Sequence, residues 1–187
     1  MFSLFRRNPL QNAAELAYRR IVEQAREPGF FGASGVPDTL DGRFELICLH
    51  AFLFLHRLKR EAAPASQLGQ RLFDTMFADF DRSLREMGTG DLSVGREVKR
   101  MAQAFFGRID AYERGLSDGD AVLKPALARN LFGTVTAAGT ALDAMARYVR
   151  RETAQLRQQP IDELLAGQVA FGQPPSTAST PQEASAS

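Results

Sequence analysis

The run "ICLHAFLFLHRL", from Ile47 to Leu58, constrains the fold more than any other stretch of the chain. Wound at 3.6 residues per turn, it is apolar on nearly every side, the mark of a helix enclosed on all faces. It falls short of the roughly 20 apolar residues that span a bilayer, and it contains His50 and His56. A helix from about Asp38 or Leu40 to Lys59 is therefore expected at the centre of a soluble core. Cys48, the single cysteine, lies inside it, which excludes a disulfide framework and fits a small buried hydrophobe in a reducing, cytoplasmic compartment.

Around this helix the same periodicity recurs, and alternating strand patterns are almost absent. The expectation is an all-α protein: one compact domain of about six helices over residues 1–171, followed by a disordered tail from Gly172 to Ser187 whose Pro, Ser, Thr, Gln and Ala residues cannot offset the entropy of ordering. A first helix starts at Asn8 with Pro9 preset for its first turn, and ends at the Pro- and Gly-rich "EPGFFGASGVP". The third spans about Ala65 to Met87 and stops at Gly88, a good left-handed cap. The fourth opens near Asp91 or Ser93 and reaches about Tyr112. Ser117 and Asp120 are spaced as a capping box for a fifth helix, in which Pro125 either kinks the helix or marks its first turn. The sixth covers about Thr136 to Gln158, and a short amphipathic turn follows at "IDELLAG".

Composition narrows function. The sequence has 187 residues, 44% of them hydrophobic, enough for one real core and too few for two comfortable ones. Twenty-three basic and 22 acidic side chains leave a net charge of +1, so no global field points to DNA or to an anionic membrane. The N-terminus "MFSLFRRNPL" lacks the pattern of a secretory signal. Its Phe2, Leu4 and Phe5 beside Arg6 and Arg7 would suit either a frayed end or a peripheral membrane contact.

The stretch "FDTMFADFDRSLREMGTGD" raises the possibility of acid/base or metal chemistry. On a wheel, Phe73, Met76, Phe77, Phe80, Leu84 and Met87 share one stripe about 100° wide, which reads as core. Asp74, Asp81 and Arg85 fall on its flank, with Asp81 and Arg85 spaced as an i,i+4 ion pair; Asp79 falls on the opposite, solvated side. A di-metal helical site needs Glu-x-x-His pairs that do not occur here, and the two histidines lie about 120° apart on one helix. No metal or other cofactor is expected. His50 reads as a hydrogen-bonded core histidine and His56 as a helix-end cation. There is no G-x-S-x-G elbow, no sequence neighbour to activate Cys48, and no phosphate loop in "GASG" or "GTGDLSVG".

Three blocks, "GVPDTLDGRFELICLHAFLFLHRLKR" (35–60), "LFDTMFADFDRSLREMGTGDLSVGREVKRMAQAFFGR" (72–108) and "AYERGLSDGDAVLKPALARNLF" (111–132), resemble the ubiquinol-cytochrome c chaperone family. P-D-T with L-H and R-L, then F-D-x-M-F with D-R-x-L-R-E-x-G, occur in order. The resemblance implies a helical, non-enzymatic assembly factor for cytochrome b, the membrane subunit of ubiquinol-cytochrome c reductase. In the mitochondrial relatives it implies a second small assembly factor and work near the ribosomal exit. Its setting would be the cytoplasm, with peripheral contact at the inner membrane.

A chaperone for a membrane helix needs an apolar surface bordered by polar groups. Asp74, Asp81 and Arg85 beside Phe77 suit such a border. Asp38, Thr39 and Asp41 would meet basic client segments or simply cap the second helix, with Arg43 and Phe44 behind them. Lys99, Arg100 and Arg108 beside Phe105 would approach lipid headgroups or ribosomal RNA, or serve only as a solvated surface. The rival expectation is a small carrier or enzyme whose second helix lines a closed pocket for a quinone or an acyl chain.

Overall fold

The computed structural model describes residues 8–32, 35–133 and 135–175. Among these, seven α-helices and one short 3-10 turn make up the regular structure, and there is no strand. The residues 2–7 singled out for membrane contact, and the tail from 176 onward, lie outside the described residues.

Helix α1 (Pro9–Ala25) begins as its sequence demands: Asn8 Oδ1 accepts from the Leu10 N–H at 3.0 Å, and Pro9 occupies the first turn. After the 3-10 turn (Pro28–Phe30), α2 (Leu40–Leu58) runs through the middle of the molecule and packs on α1, α3, α4, α5 and α6. Leu46, Cys48, Leu49 and Ala51 to Phe54 are all buried, so the all-round apolar wheel is matched by neighbours on all sides. His50, also buried, donates from Nδ1 to the Leu46 carbonyl at 2.7 Å; its Nε2, 2.7 Å from the Tyr148 hydroxyl, then accepts. The tautomer follows, because a carbonyl can only accept.

Helix α3 (Ala65–Glu86) ends in a Schellman motif. The Thr89 N–H bonds the Leu84 carbonyl and the Gly88 N–H bonds that of Arg85, both at 3.0 Å, with Gly88 at φ +87°. The apolar stripe of α3 is only partly core. Met76, Phe77 and Phe80 are buried, whereas Leu84 is half-buried and Met87 is 54% exposed.

Helix α4 (Asp91–Asp118) is longer than the expected end at Tyr112. Gly115 does not break it; a Cβ there would lie 2.7 Å from Leu123 Cα, so the glycine admits the next helix. The break comes at Gly119, φ +101°, which also opens α5 (Asp120–Leu131). Ser117 therefore sits in the last turn of α4 and caps nothing, correcting the capping-box expectation. Pro125 lies inside α5 on its exposed side, past the first turn.

Helix α6 (Gly139–Gln158) starts three residues later than expected, and α7 (Ile161–Leu165) is the short amphipathic turn. The chain then crosses back over α6 and α1. The Gly172 N–H donates to the buried Glu152 and its carbonyl accepts from Gln24, both at 2.8 Å, and Pro174 packs on Gly29. Order thus continues through residue 175, beyond the expected boundary at Gly172. Polar contacts to α1 and α6 hold a segment whose own composition is poor in apolar groups.

Candidate functional site

Where α2 begins, the chain folds tightly over its own helix. Thr39 Oγ1 accepts from the Gly42 N–H at 3.1 Å, and the Pro37 carbonyl lies where a Cβ on Gly42 would be. Capping is thus the role the structure gives Thr39. Thr39→Ala is expected to cost about 1 kcal/mol and to speed hydrogen exchange at Gly42, read from denaturant midpoints and amide exchange.

One turn on, Phe44 is held between the Phe80 ring, with centroids 5.2 Å apart, and the Arg108 guanidinium, 5.6 Å from its centroid. Glu45 turns inward, and Arg108 binds it through both Nε (2.6 Å to Oε2) and Nη2. The side chains of this pair are only 9% and 17% exposed. Burial pushes the Glu45 carboxyl up and the bidentate contact with Arg108 opposes it, while Glu45 raises Arg108 further.

These residues form the floor of an open groove of about 650 Å³ between the start of α2, the second half of α3, the first half of α4 and the ends of α1 and α5. Its walls are apolar: Val22, Ile47, Phe80, Leu84, Met101 and Ala104. Leu40, 66% exposed, and Met87 stand at its mouth. Charged groups rim it, including Arg26, Asp41, Arg43, Asp79, Glu97, Arg100 and Arg129. Apolar walls within a charged rim are the arrangement of a surface that can receive an apolar partner.

Thr39, Asp41, Arg43, Phe44 and Arg108 are thus brought together at the groove, with Asp38 beside them, bonded to Arg43 at 2.8 Å. The others fall elsewhere. Asp81 and Arg85 form their expected pair at 2.6 Å, and Arg85 also binds Asp91, so both brace the α3–α4 turn. Asp74 is exposed and accepts from Gln70 at 2.8 Å. Phe77 is buried against Phe73 and Phe80. Lys99 is exposed outside the groove.

Three placements are corrections. Phe105 is wholly buried and offers no surface; Phe106, the next residue around α4, is 54% exposed and stacks on Phe73 at 5.4 Å. Arg108 is a buried partner of Glu45, not a surface cation. Asp79, assigned to the solvated side, lines the groove and accepts from the Tyr18 hydroxyl at 2.8 Å, and burial together with this bond raises the Tyr18 phenol. Glu45 was missed altogether. A carboxylate inside an otherwise apolar stretch of α2 demands a cation to meet it, but the sequence does not say which one. His56 stands in the last turn of α2, the helix-end position its place in the sequence predicts, and its Nδ1 lies 3.0 Å from Glu113 Oε1.

The chemistry available here is that of binding. Burial pushes the Cys48 thiol well up, which makes it a poor nucleophile. Among the described residues, no group of three or more His, Cys, Asp or Glu gathers to hold a metal ion. Nor is any described helix long and apolar enough to cross a membrane.

Comparison with known proteins agrees with this geometry. The family described as Ubiquinol-cytochrome C chaperone matches residues 33–171. The crystal structure of the Cbp3 homolog from Brucella abortus superposes with a TM-score of 0.79 at 34% identity, covering 88% of this chain and 91% of that one. Ubiquinol-cytochrome-c reductase complex assembly factor 1 from Xenopus laevis is 28% identical over 82% of this chain and 76% of its own length. The human protein of that name is 27% identical over 85% of this chain, which spans only 54% of it. With the family match covering most of its length and α2 at its centre, the chain belongs to the ubiquinol-cytochrome c chaperones, a family of assembly chaperones and not of catalysts.

Proposed function

We propose that the protein assists assembly of ubiquinol-cytochrome c reductase by holding newly made cytochrome b in the groove, through transient hydrophobic contact and without chemistry. The observation that carries this reading is the open groove itself, with apolar walls, Leu40 and Met87 exposed at its lips and charges at its rim. An emerging membrane helix would cover those apolar groups, and the rim would discourage the chaperone from associating with itself. Work at the inner membrane surface, beside a ribosome or a second assembly factor, belongs to the same reading. The carrier alternative draws no support from α2, whose middle is packed on all sides, and both large concavities open to the surface.

A photo-crosslinker placed at Leu40 or Met87 in growing cells is expected to capture cytochrome b, and one at the distant exposed Arg71 is not. Deleting the gene is expected to deplete assembled reductase and spare other respiratory complexes. Equal crosslinking from all three positions, or equal loss of every complex, would count against the proposal.

A further inference from the structure

The polar groups of the groove are unequally committed. Of its carboxylates, Glu45 holds Arg108, Asp79 binds Tyr18 and Arg82, and Glu97 binds Arg100. Only Asp41 lacks an ion-pair partner among the described residues, and it lies in the first turn of α2, where the unpaired helix N–H groups favour a carboxylate. On the basic side, Arg43 is paired with Asp38, but no carboxylate pairs with Arg26 or Arg129 among the described residues. The Asn130 amide, on a residue lining the groove, is buried and directed at the buried Tyr112 hydroxyl, so it is not open to a ligand. Among its charged side chains, the groove is thus left with two unpaired guanidiniums, Arg26 and Arg129, against one unpaired carboxylate, Asp41.

Size narrows what can answer them. One turn of helix with its side chains, about 10 Å across and 5.4 Å long, fills roughly 400 Å³. The groove, at about 650 Å³, matches the volume of about one and a half turns, the scale of a helix end. The two ends of a helix are electrostatic opposites. The first turn presents unpaired N–H groups, which would face donors; the last presents four unpaired carbonyls and about half a negative charge. Arg26 and Arg129 each close a helix of their own, but attraction to their own helix end does not consume all of a guanidinium's five N–H donors.

From this imbalance we infer that the groove takes the C-terminal end of an apolar client helix, with its last carbonyls and any terminal carboxylate turned toward Arg26 and Arg129. This rests on the groove being the client site and adds to it a direction of binding. The client is read by where its helix ends as well as by its apolar side chains.

The test uses the full chain and two fluorescent peptides of about 15 residues, long enough to sustain a helix. Each is a Leu/Ala helix. One carries its apolar turns at a free C-terminal carboxylate with solubilising lysines at the other end; the other carries them at an acetylated N-terminus with the lysines last. By anisotropy the first is expected to bind roughly tenfold tighter. In the Arg26→Gln/Arg129→Gln variant that preference should fall below about threefold while the second peptide binds as before. Both arginines are exposed, so the variant should fold, and circular dichroism with the thermal midpoint checks that it does. Equal affinities for wild type would overturn the direction and leave the groove reading intact; no binding of either peptide would overturn both. Phosphatidylglycerol vesicles that displace the first peptide, and bind only when both arginines are present, would assign the donors to lipid headgroups and likewise overturn the inference.

Discussion

Replacing Arg108 with Met is expected to destabilise the protein by about 3–5 kcal/mol, because it leaves the Glu45 carboxylate buried with no counter-charge. At about 2–4 °C per kcal/mol for a chain of this size, the thermal midpoint should fall by roughly 10 °C. The cause is desolvation, so the loss should shrink in acid, where Glu45 can take up a proton and become neutral. It should also shrink when Glu45→Leu is added, since replacing both ions by apolar groups removes the uncompensated charge. The variant reaches the groove as well, since Phe44 loses the guanidinium that covers one face of its ring. Client binding should then weaken beyond what stability alone predicts, compared at a temperature where the variant is fully folded. A loss below about 1 kcal/mol would mean that water reaches the pair and screens it.

The second large effect comes from His50 and is read against pH. Burial lowers its imidazole from 6.5 to about 4, although the bond to the Leu46 carbonyl works the other way. Below pH 6.5 the unfolded chain binds a proton at this residue that the folded chain refuses. Stability therefore falls as pH drops from 6.5 toward 4, and the full difference amounts to about 3 kcal/mol. Glu45 works with the opposite sign, since its raised carboxyl favours the folded state as acid protonates it. The informative quantity is thus the stability of wild type minus that of His50→Gln, whose amide can still donate to Leu46 and accept from Tyr148. From pH 7 to pH 4 by urea titration this difference should shrink by up to about 3 kcal/mol. A difference that stays flat would show that His50 is protonated in the folded protein.

Much of the fold was legible because it rests on local rules. Asn8 and Thr39 cap helices from their own side chains, Gly88 supplies the positive φ of a Schellman turn, and the Leu46 to Phe54 stretch is too apolar to lie anywhere but inside. The misreadings share one cause. Tyr112 reads as the end of α4, yet the helix runs on to Asp118, with Gly115 kept small by Leu123, a residue of another helix. Gly172 looked like the start of disorder, yet its backbone bonds Glu152 and Gln24, far from it in sequence.

The groove shows the same division. Asp38, Thr39, Asp41, Arg43 and Phe44 could be singled out because they cluster at one helix start. A wheel describes one helix at a time, so it puts Asp79 on the solvated side, where Tyr18 of α1 in fact meets it; Phe105, expected on a binding surface, is covered by Phe73 and Phe77 of α3. Glu45 and Arg108 are 63 residues apart, and nothing short of packing α2 against α4 marks them as partners.

The amino-acid sequence by itself determined the helical class, the central helix, the helix starts and the family, because periodicity, capping and motif order are properties of neighbouring residues. Tertiary structure alone decided which charges are spent on one another and which stay free around the groove. Ion pairing and burial depend on distance in space, and distance along the chain does not report it.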